Sequence, residues 1–204
     1  LDTWLRDFIW PAEARFVTAE NVFTGTQLAI AEMFRSGTTL FADMYFFEEE
    51  VARACIEAGM KVLTGEAVMD FPSPSHPTPE STLKHTESMA TQYRNHPLVR
   101  VAFAPHSIYA CSKSLLQSIA KESRRLNLPV HIHLSETDEE VTNSLSGNGL
   151  RPLPYLLQTG ISERLIAAHM IHTDQKEIEL AATLDMGIAH NPSSNMKLAS
   201  GWAP

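Results

Sequence analysis

The stretch PVHIHLSE, residues 129–136, joins a short apolar run to histidines and a carboxylate at its end. Side chains at positions i and i+2 of a strand share one face, so His131 and His133 are expected to point the same way, with Glu136 just beyond the strand. A neutral imidazole is a common zinc ligand, and a nearby carboxylate can move protons for metal-activated water. The same letters also fit a hydrogen-bonded pair of core histidines followed by a helix-capping acid. By itself, the stretch leaves both interpretations open.

The rest of the chain repeats this kind of unit, in which a short β-branched run alternates with a longer helical stretch. Such alternation predicts βα units and a parallel sheet. Gly37 and Gly59 end two of the predicted helices, and Ser112 caps another. Six strands are predicted, at residues 38–44, 61–68, 99–107, 129–136, 164–171 and 187–191. Six βα units fit either an open doubly wound sheet or part of a (β/α)₈ barrel.

A polar side chain stands at or near the carboxyl end of every predicted strand, and this recurrence favours the barrel. In a closed barrel these ends converge on one mouth, where the active sites of such barrels are found, whereas an open sheet spreads them along an edge. A rival explanation is that polar residues follow strands because loops begin there. This would account for one or two such residues, but not for one on each strand. The residues are Asp43, Glu66, His106, His133, His169 and His190.

Several segments between the strands carry weaker signals. FPSPSHPTPE, residues 71–80, is rich in proline and is predicted to be a loop. The acidic TDEEV, residues 137–141, leads to a Gly/Asn turn at 147–149, and His172 is expected in a loop. AHNPSSNMKLASG, residues 189–201, lacks periodicity and is predicted to be a structured loop at the barrel mouth, although composition alone prefers a plain turn-rich connection.

Composition excludes several classes of protein. The 204 residues carry a formal charge of -8, which argues against a nucleic-acid surface because phosphate backbones need clustered Lys and Arg. No apolar run approaches the roughly 18 to 20 residues that span a bilayer. Cys55 and Cys111 form no C-x-x-C pair, so free thiols and a cytoplasmic location are expected. Motifs for phosphate-binding loops, serine-hydrolase elbows and cysteine-bound zinc deaminases do not occur.

Taken together, HIHLSETDEEV (131–141), LIAAHMIHTD (165–174) and AHNPSSNMKLASGWAP (189–204) resemble the amidohydrolase superfamily, in its branch of chlorohydrolases and aromatic-ring deaminases. Within that branch, WLRDFIWPAEARF (4–16) and FAPHSIYACS (103–112) are most similar to the 5′-methylthioadenosine/S-adenosylhomocysteine deaminases. The resemblance runs along essentially the whole chain.

This resemblance implies a metal-dependent (β/α)₈ TIM-type barrel that deaminates a modified adenosine to the inosine product and ammonia. One divalent metal ion, usually zinc, activates the water. Carried over residue by residue, His133 matches a metal ligand, Glu136 the acid that protonates the substrate's ring nitrogen, and His169 the histidine that orients the activated water. Glu13, in WPAE, and His106, in APHS, match positions that hold the nucleoside. This class often pairs barrels, so a homodimer is also expected.

The family pattern places part of the site outside this chain. Its first two metal ligands form an H-x-H on the first barrel strand, and its last ligand is an aspartate on the eighth. Residues 1–204 are therefore expected to be a partial catalytic barrel domain covering about strands 2 to 7. The start at Leu1, inside a predicted helix, agrees with this. Alone, such a piece is expected neither to hold the metal tightly nor to turn over.

The resemblance defines the substrate less sharply than the reaction. Some members of the branch hold the amino-acid tail of S-adenosylhomocysteine with arginines before the fourth strand, and residues 70–93 contain none. This favours 5′-methylthioadenosine or a related adenosine. One alternative is another ring hydrolase of the same branch, acting on guanine, cytosine-like or s-triazine rings. Another is a non-catalytic barrel fragment.

Overall fold

The computed structural model describes residues 4–204 as two compact units. The first unit holds residues 4–67 and 71–102, and the second holds residues 68–70 and 103–204. Residues 1–3, which the sequence predicts to lie inside a helix, are outside the described residues. Of the helices in the described part, none has both the length and the apolar character needed to cross a membrane.

The first unit alternates helices with short parallel strands. Its elements are a π-helical turn (Leu5–Ile9), α1 (Trp10–Phe16), α2 (Ala19–Ser36), β1 (Leu40–Ala42), α3 (Glu48–Ala58), β2 (Lys61–Thr64), the beginning of β3 (Ala67–Val68), α4 (Pro79–Gln92) and β4 (Val99–Val101). The strands are hydrogen-bonded in the order β1-β2-β4. Phe41 lies opposite Val62, and Val62 lies opposite Val99, both in parallel register. The predicted βα alternation is confirmed here.

Helices of the first unit end where the sequence predicts. α2 follows Thr18, whose side chain accepts the N–H of Asn21. Gly37 and Gly59 end α2 and α3 with φ angles of 84° and 79°, a left-handed conformation that glycine adopts without steric cost. The apolar face of α3 then packs into a core with α2 and the sheet, in which Ile30, Val51, Cys55, Val62 and Val99 are buried. This burial is the main force that holds the unit together.

The second unit carries the remaining strands and helices. Its elements are β5 (Ala104–Pro105), α5 (Lys113–Leu126), β6 (Val130–Leu134), α6 (Asp138–Asn148), α7 (Pro152–Gln158), β7 (Glu163–His169), α8 (Gln175–Ala181), β8 (Asp185–Ala189) and α9 (Pro192–Lys197). β6, β7 and β8 pair in parallel in that order, and Phe103 bridges Val130 at the edge of β6. The Ser112 side chain accepts the N–H of Leu115, which confirms the predicted cap of α5.

The prediction of six strands is wrong in detail, because residues 4–204 contain eight short ones. The predicted strands at 61–68 and 99–107 are each broken in two. At the second break, the N–H of Ala102 donates to the carbonyl of Thr64, whereas the N–H of Phe103 donates to the carbonyl of Pro129. The strand breaks because neighbouring residues bond to different partners.

Two helices form in segments that the sequence describes only as polar or irregular. Residues 189–201 are not all loop, because α9 occupies Pro192–Lys197. Proline is well suited to the first turn of a helix, since its fixed φ is helical and its missing N–H would have no partner there. The acidic 137–141 stretch begins α6, where Thr137 accepts the N–H of Glu140. Acids in a first turn are favoured by the helix dipole.

Candidate active site in the second unit

Three histidines meet at the carboxyl ends of strands in the second unit. The ring centroids of His106 and His133 lie 4.9 Å apart, and those of His133 and His169 lie 5.6 Å apart. The strand register explains the second distance, because Leu134 at the end of β6 pairs with His169 at the end of β7. The sequence-based expectation that strand-end histidines converge is confirmed for these three residues.

His133 is a neutral imidazole, and one of its ring nitrogens is hydrogen-bonded to the backbone. Its Nδ1 lies 2.8 Å from the carbonyl oxygen of His106, and a carbonyl can only accept, so Nδ1 carries the hydrogen. The lone pair is then on Nε2. Burial lowers the pKa of His133, and the nearby ring of His169 lowers it further, whereas the bond to the His106 carbonyl opposes this. A neutral ring with an oriented second nitrogen is the form that binds a metal.

His169 is fixed by a contact that no sequence pattern predicts. Its Nδ1 lies 2.8 Å from Oδ1 of Asn195 in α9, and both side chains are almost completely buried. The backbone at His169 and Met170 is left-handed, with φ angles of 77° and 50°. Such conformations cost non-glycine residues about 1–3 kcal/mol and cluster at functional sites. Here the N–H of Met170 donates to the carbonyl of Leu134, which ties the turn after β7 to β6.

Glu136 faces His169 across a short gap. Oε1 of Glu136 lies 3.6 Å from Nε2 of His169, too far for a hydrogen bond but close enough for direct electrostatic attraction when the imidazole is protonated. The two groups are held by different elements, since Glu136 follows β6 and His169 ends β7. Proton transfer between a substrate and this carboxylate is chemically reasonable at such a position.

The position of Glu136 is set by another buried acid, Glu140. Oε1 and Oε2 of Glu140 accept the backbone N–H groups of Ser135 and Glu136, at 3.0 and 2.9 Å. Ser135 is left-handed, with φ 52°, so the carboxylate bridges the bend that ends β6. Burial raises the pKa of Glu140 to about 7, although these two hydrogen bonds lower it. Sequence reasoning missed Glu140; the available signal was an acid in the first turn of the helix after the strand.

His106 is a neutral group beside His133. Burial lowers its pKa to about 3, and the neighbouring His133 contributes in the same direction. Its Nδ1 lies 3.2 Å from the Ser107 hydroxyl, and its ring meets Tyr109 edge-on at 6.1 Å. An imidazole that stays uncharged can donate or accept a hydrogen bond to an uncharged ligand without the cost of burying a charge.

The other predicted site residues are divided between the two units. Glu13, in α1 of the first unit, accepts a hydrogen bond from the Tyr45 hydroxyl at 2.8 Å, and burial and this carboxylate raise the pKa of Tyr45. Asp43 and Glu66 also belong to the first unit, where Asp43 is half-buried and Glu66 is buried. In the second unit, His190 directly follows β8 and is exposed.

His133 and its surroundings are suited to one ligand position of a metal site. Its oriented imidazole is a suitable ligand, and the buried surroundings suit a metal of the zinc type. Within residues 4–204, however, no set of three or more metal-binding side chains is gathered around it. The described residues therefore offer one candidate ligand there and not a full coordination shell.

The chain belongs to the amidohydrolase family, whose pattern it matches along residues 1–204. This agrees with an α/β fold of parallel strands and with histidines at strand ends.

Within this family, the chain is similar to deaminases of nucleosides. A protein of Syntrophobacter fumaroxidans named 5-methylthioadenosine/S-adenosylhomocysteine deaminase is 46% identical over 202 residues, which are 98% of this chain and 46% of the relative. A protein of Methanothermobacter thermautotrophicus named 5′-deoxyadenosine deaminase is 41% identical over 210 residues, all of this chain and 48% of the relative. The chain thus spans about half the length of the curated relatives it matches.

A solved structure supports the same relationship. The crystal structure of an adenosine deaminase from Xanthomonas campestris with bound zinc superposes with a TM-score of 0.96 at 38% identity. The match covers all of this chain and 46% of that chain.

Proposed function

We propose that the whole protein deaminates a 5′-modified adenosine, with water replacing the exocyclic amine to give the inosine product and ammonia. The observation that carries this proposal is the meeting of His133, His169 and Glu136 at the ends of β6 and β7. It is supported by membership of the amidohydrolase family and by the deaminase names of the similar proteins. The reaction forms one carbon–oxygen bond and breaks one carbon–nitrogen bond, without any change of oxidation state.

A divalent metal, which we take to be zinc, would supply an activated water for the attack. His133 is the ligand that this chain provides, through Nε2, because Nδ1 is bonded to the carbonyl of His106. In the family pattern, the remaining ligands lie on the first and eighth strands of the barrel. In the same pattern, this chain forms about strands 2 to 7 of a (β/α)₈ barrel.

Glu136 and His169 carry the proton chemistry. An adenine ring resists attack until a ring nitrogen gains a proton, and Glu136 is the acid placed to give it. His169 orients the attacking water and stabilises the charge that forms on it. Glu140 and Asn195 do not touch the substrate in this scheme. Glu140 positions Glu136, which acts on the ring nitrogen, and Asn195 positions His169, which acts on the attacking water, through contacts at 2.9 and 2.8 Å.

The nucleoside is held by Glu13 and His106. A carboxylate such as Glu13 suits the hydroxyls of a ribose, and neutral His106 suits an uncharged ring or sugar. Since residues 70–93 contain no arginine to pair with an amino-acid carboxylate, 5′-methylthioadenosine is preferred over S-adenosylhomocysteine. A cytoplasmic location and a homodimer stay predictions from the sequence.

The experiment that tests this proposal is an ammonia-release assay on the full-length protein, with 5′-methylthioadenosine, S-adenosylhomocysteine and guanine as substrates. We expect turnover of the two nucleosides, the first preferred, and none of guanine. Glu136→Gln should lower kcat by about 100- to 10,000-fold, the usual contribution of a general acid. Glu139→Gln, an exposed acid in the same helix-forming stretch, is the matched control and should keep full activity. If the protein releases ammonia from neither of the two nucleosides, the proposal is wrong.

A Glu13→Gln variant separates a nucleoside deaminase from a deaminase of free bases. If Glu13 holds the ribose, its replacement should raise KM for 5′-methylthioadenosine. An unchanged KM would favour another ring hydrolase of the same branch.

A further inference from the structure

A second group of metal-binding side chains lies in the first unit, where the proposed reaction uses none of them. It consists of Glu66 between β2 and β3, His76 in the proline-rich segment before α4, and His85 within α4. One ligand atom from each lies within 4.8 Å of the others. The imidazole rings of His76 and His85 have centroids 4.7 Å apart, and Nε2 of His76 is 3.9 Å from Oε1 of Glu66. We call these residues the Glu66 cluster.

Glu66 is a rigid, buried anchor for this cluster. Its side chain is 1% exposed, and its two oxygens accept the N–H groups of Phe47 and Glu48 at 3.1 and 2.9 Å. The Ser75 hydroxyl, next to His76 in the chain, also donates to Oε1. A carboxylate with several fixed donors cannot swing out to solvent, so the cluster keeps its ligand position without a metal.

A further carboxylate adjoins the cluster at His85. Oε2 of Glu49 lies 3.0 Å from Nε2 of His85, and both atoms are shielded from solvent. The two groups interact, because the contact with Glu49 raises the pKa of His85 and the contact with His85 lowers the pKa of Glu49. A cation bound by the cluster would have this carboxylate beside it.

A cation would compete with protons at part of the cluster. Burial lowers the pKa of His76, and the neighbouring His85 lowers it further. The contact with Glu49 raises the pKa of His85, and burial raises the pKa of Glu66. Since metal binding needs neutral imidazoles and ionised carboxylates, zinc would have to displace protons from these two groups. Two carboxylates, Glu66 and Glu49, lie among these rings and would offset the charge of a divalent ion.

We propose that the Glu66 cluster binds a divalent transition-metal ion, with zinc preferred, through Glu66, His76 and His85, and with Glu49 as the neighbouring carboxylate. Two histidines and a carboxylate form a common zinc ligand set. Ligand atoms about 2.0–2.2 Å from a tetrahedral zinc are about 3.3 Å from one another. The observed 3.9 Å between His76 and Glu66 needs only a small closure. The ion would fasten the proline-rich segment to α4, and its ligands are different residues from His133.

The test is the number of zinc ions that each full-length chain binds. Wild-type protein, stripped with a chelator and reloaded with Zn²⁺, should bind one equivalent more than either His76→Asn or His85→Gln. His96→Gln is the matched control, since His96 is a half-buried histidine of the same unit outside the cluster, and it should bind as the wild type does. Equal stoichiometry in all four proteins overturns the proposal.

A second measurement does not depend on how well the cluster variants fold. In a His133→Ala protein, which lacks the metal ligand proposed for the active site, Zn²⁺ alone should still bind at one equivalent and raise Tm. The presence of Zn²⁺ should also slow proteolysis within residues 71–78. A His133→Ala protein that binds no Zn²⁺ contradicts the inference.

Discussion

The contact between His169 and Asn195 offers the sharpest way to perturb the site without touching a group that meets the substrate. Oδ1 of Asn195 accepts the Nδ1 hydrogen of His169 at 2.8 Å, and the two residues are 2% and 4% exposed. The amide nitrogen of Asn195 makes no hydrogen bond. Among the described residues, the bond to His169 is therefore the one hydrogen bond of this side chain. Replacing Asn195 with alanine removes that acceptor and leaves a buried donor unpaired.

The size of the effect follows from the burial. An unpaired buried donor costs about 1–3 kcal/mol. Since each 1.4 kcal/mol corresponds to a factor of ten in rate, Asn195→Ala should lower kcat of the full-length protein by about 5- to 150-fold. KM should change little, because His169 acts on the attacking water and not on the nucleoside. Asn195→Asp keeps an acceptor oxygen and should recover most of the activity.

The assay is steady-state ammonia release from 5′-methylthioadenosine, with Tm measured in parallel. Ser193→Ala is the control, because Ser193 is exposed on the same helix α9. If Asn195→Ala keeps kcat within twofold of wild type, the positioning role is wrong. The same conclusion follows if Asn195→Asp is as impaired as Asn195→Ala.

Three further predictions concern stability and are measured by urea unfolding of the full-length protein. The folded pKa of Glu140, about 7, lies above its ordinary value of 4.5, so the folded state binds the proton more tightly than the unfolded state does. The resulting contribution to the free energy of unfolding is fully present below pH 4.5 and is lost as pH rises through 7. Wild type should lose up to about 3 kcal/mol across that window, and Glu140→Gln should abolish this step; an identical pH profile in both would refute the assignment. Ile132→Ala should cost about 2–5 kcal/mol, because Ile132 is completely buried in β6, while Ile188→Ala, at an exposed position, should cost under about 1 kcal/mol. Gly37→Ala should cost about 1 kcal/mol from backbone strain alone, since φ is 84° and an added Cβ meets no atom within 4 Å; a larger loss would point to a steric clash.

Features with local causes are the ones the sequence predicts well. Gly37 and Gly59 end helices because few other residues tolerate their left-handed backbone, and Ser112 caps α5 with its own side chain. The adjacency of His133 and His169 also follows from local pattern, because parallel strands in register bring their carboxyl ends to one edge. Family resemblance then adds the roles of these residues.

The sequence does not predict features that depend on contacts between residues far apart in the chain or on irregular backbone. Asn195 reaches His169 only because α9 forms after β8, and nothing in their sequence separation of 26 residues predicts that contact. Glu140 acts on backbone N–H groups at a bend whose left-handed Ser135 has no sequence signature. The strand break near Ala102 arises from a change of hydrogen-bond partner, which periodicity does not encode.

The proposed deamination depends on His133 as a metal ligand. The most direct test measures ammonia release from 5′-methylthioadenosine by the full-length protein after chelation and again after Zn²⁺ is restored, in wild type and His133→Ala. We predict that chelated wild-type protein is inactive, that Zn²⁺ restores its activity, and that His133→Ala stays inactive at the same zinc concentration. Full activity in the chelated protein, or in His133→Ala, would contradict the central claim.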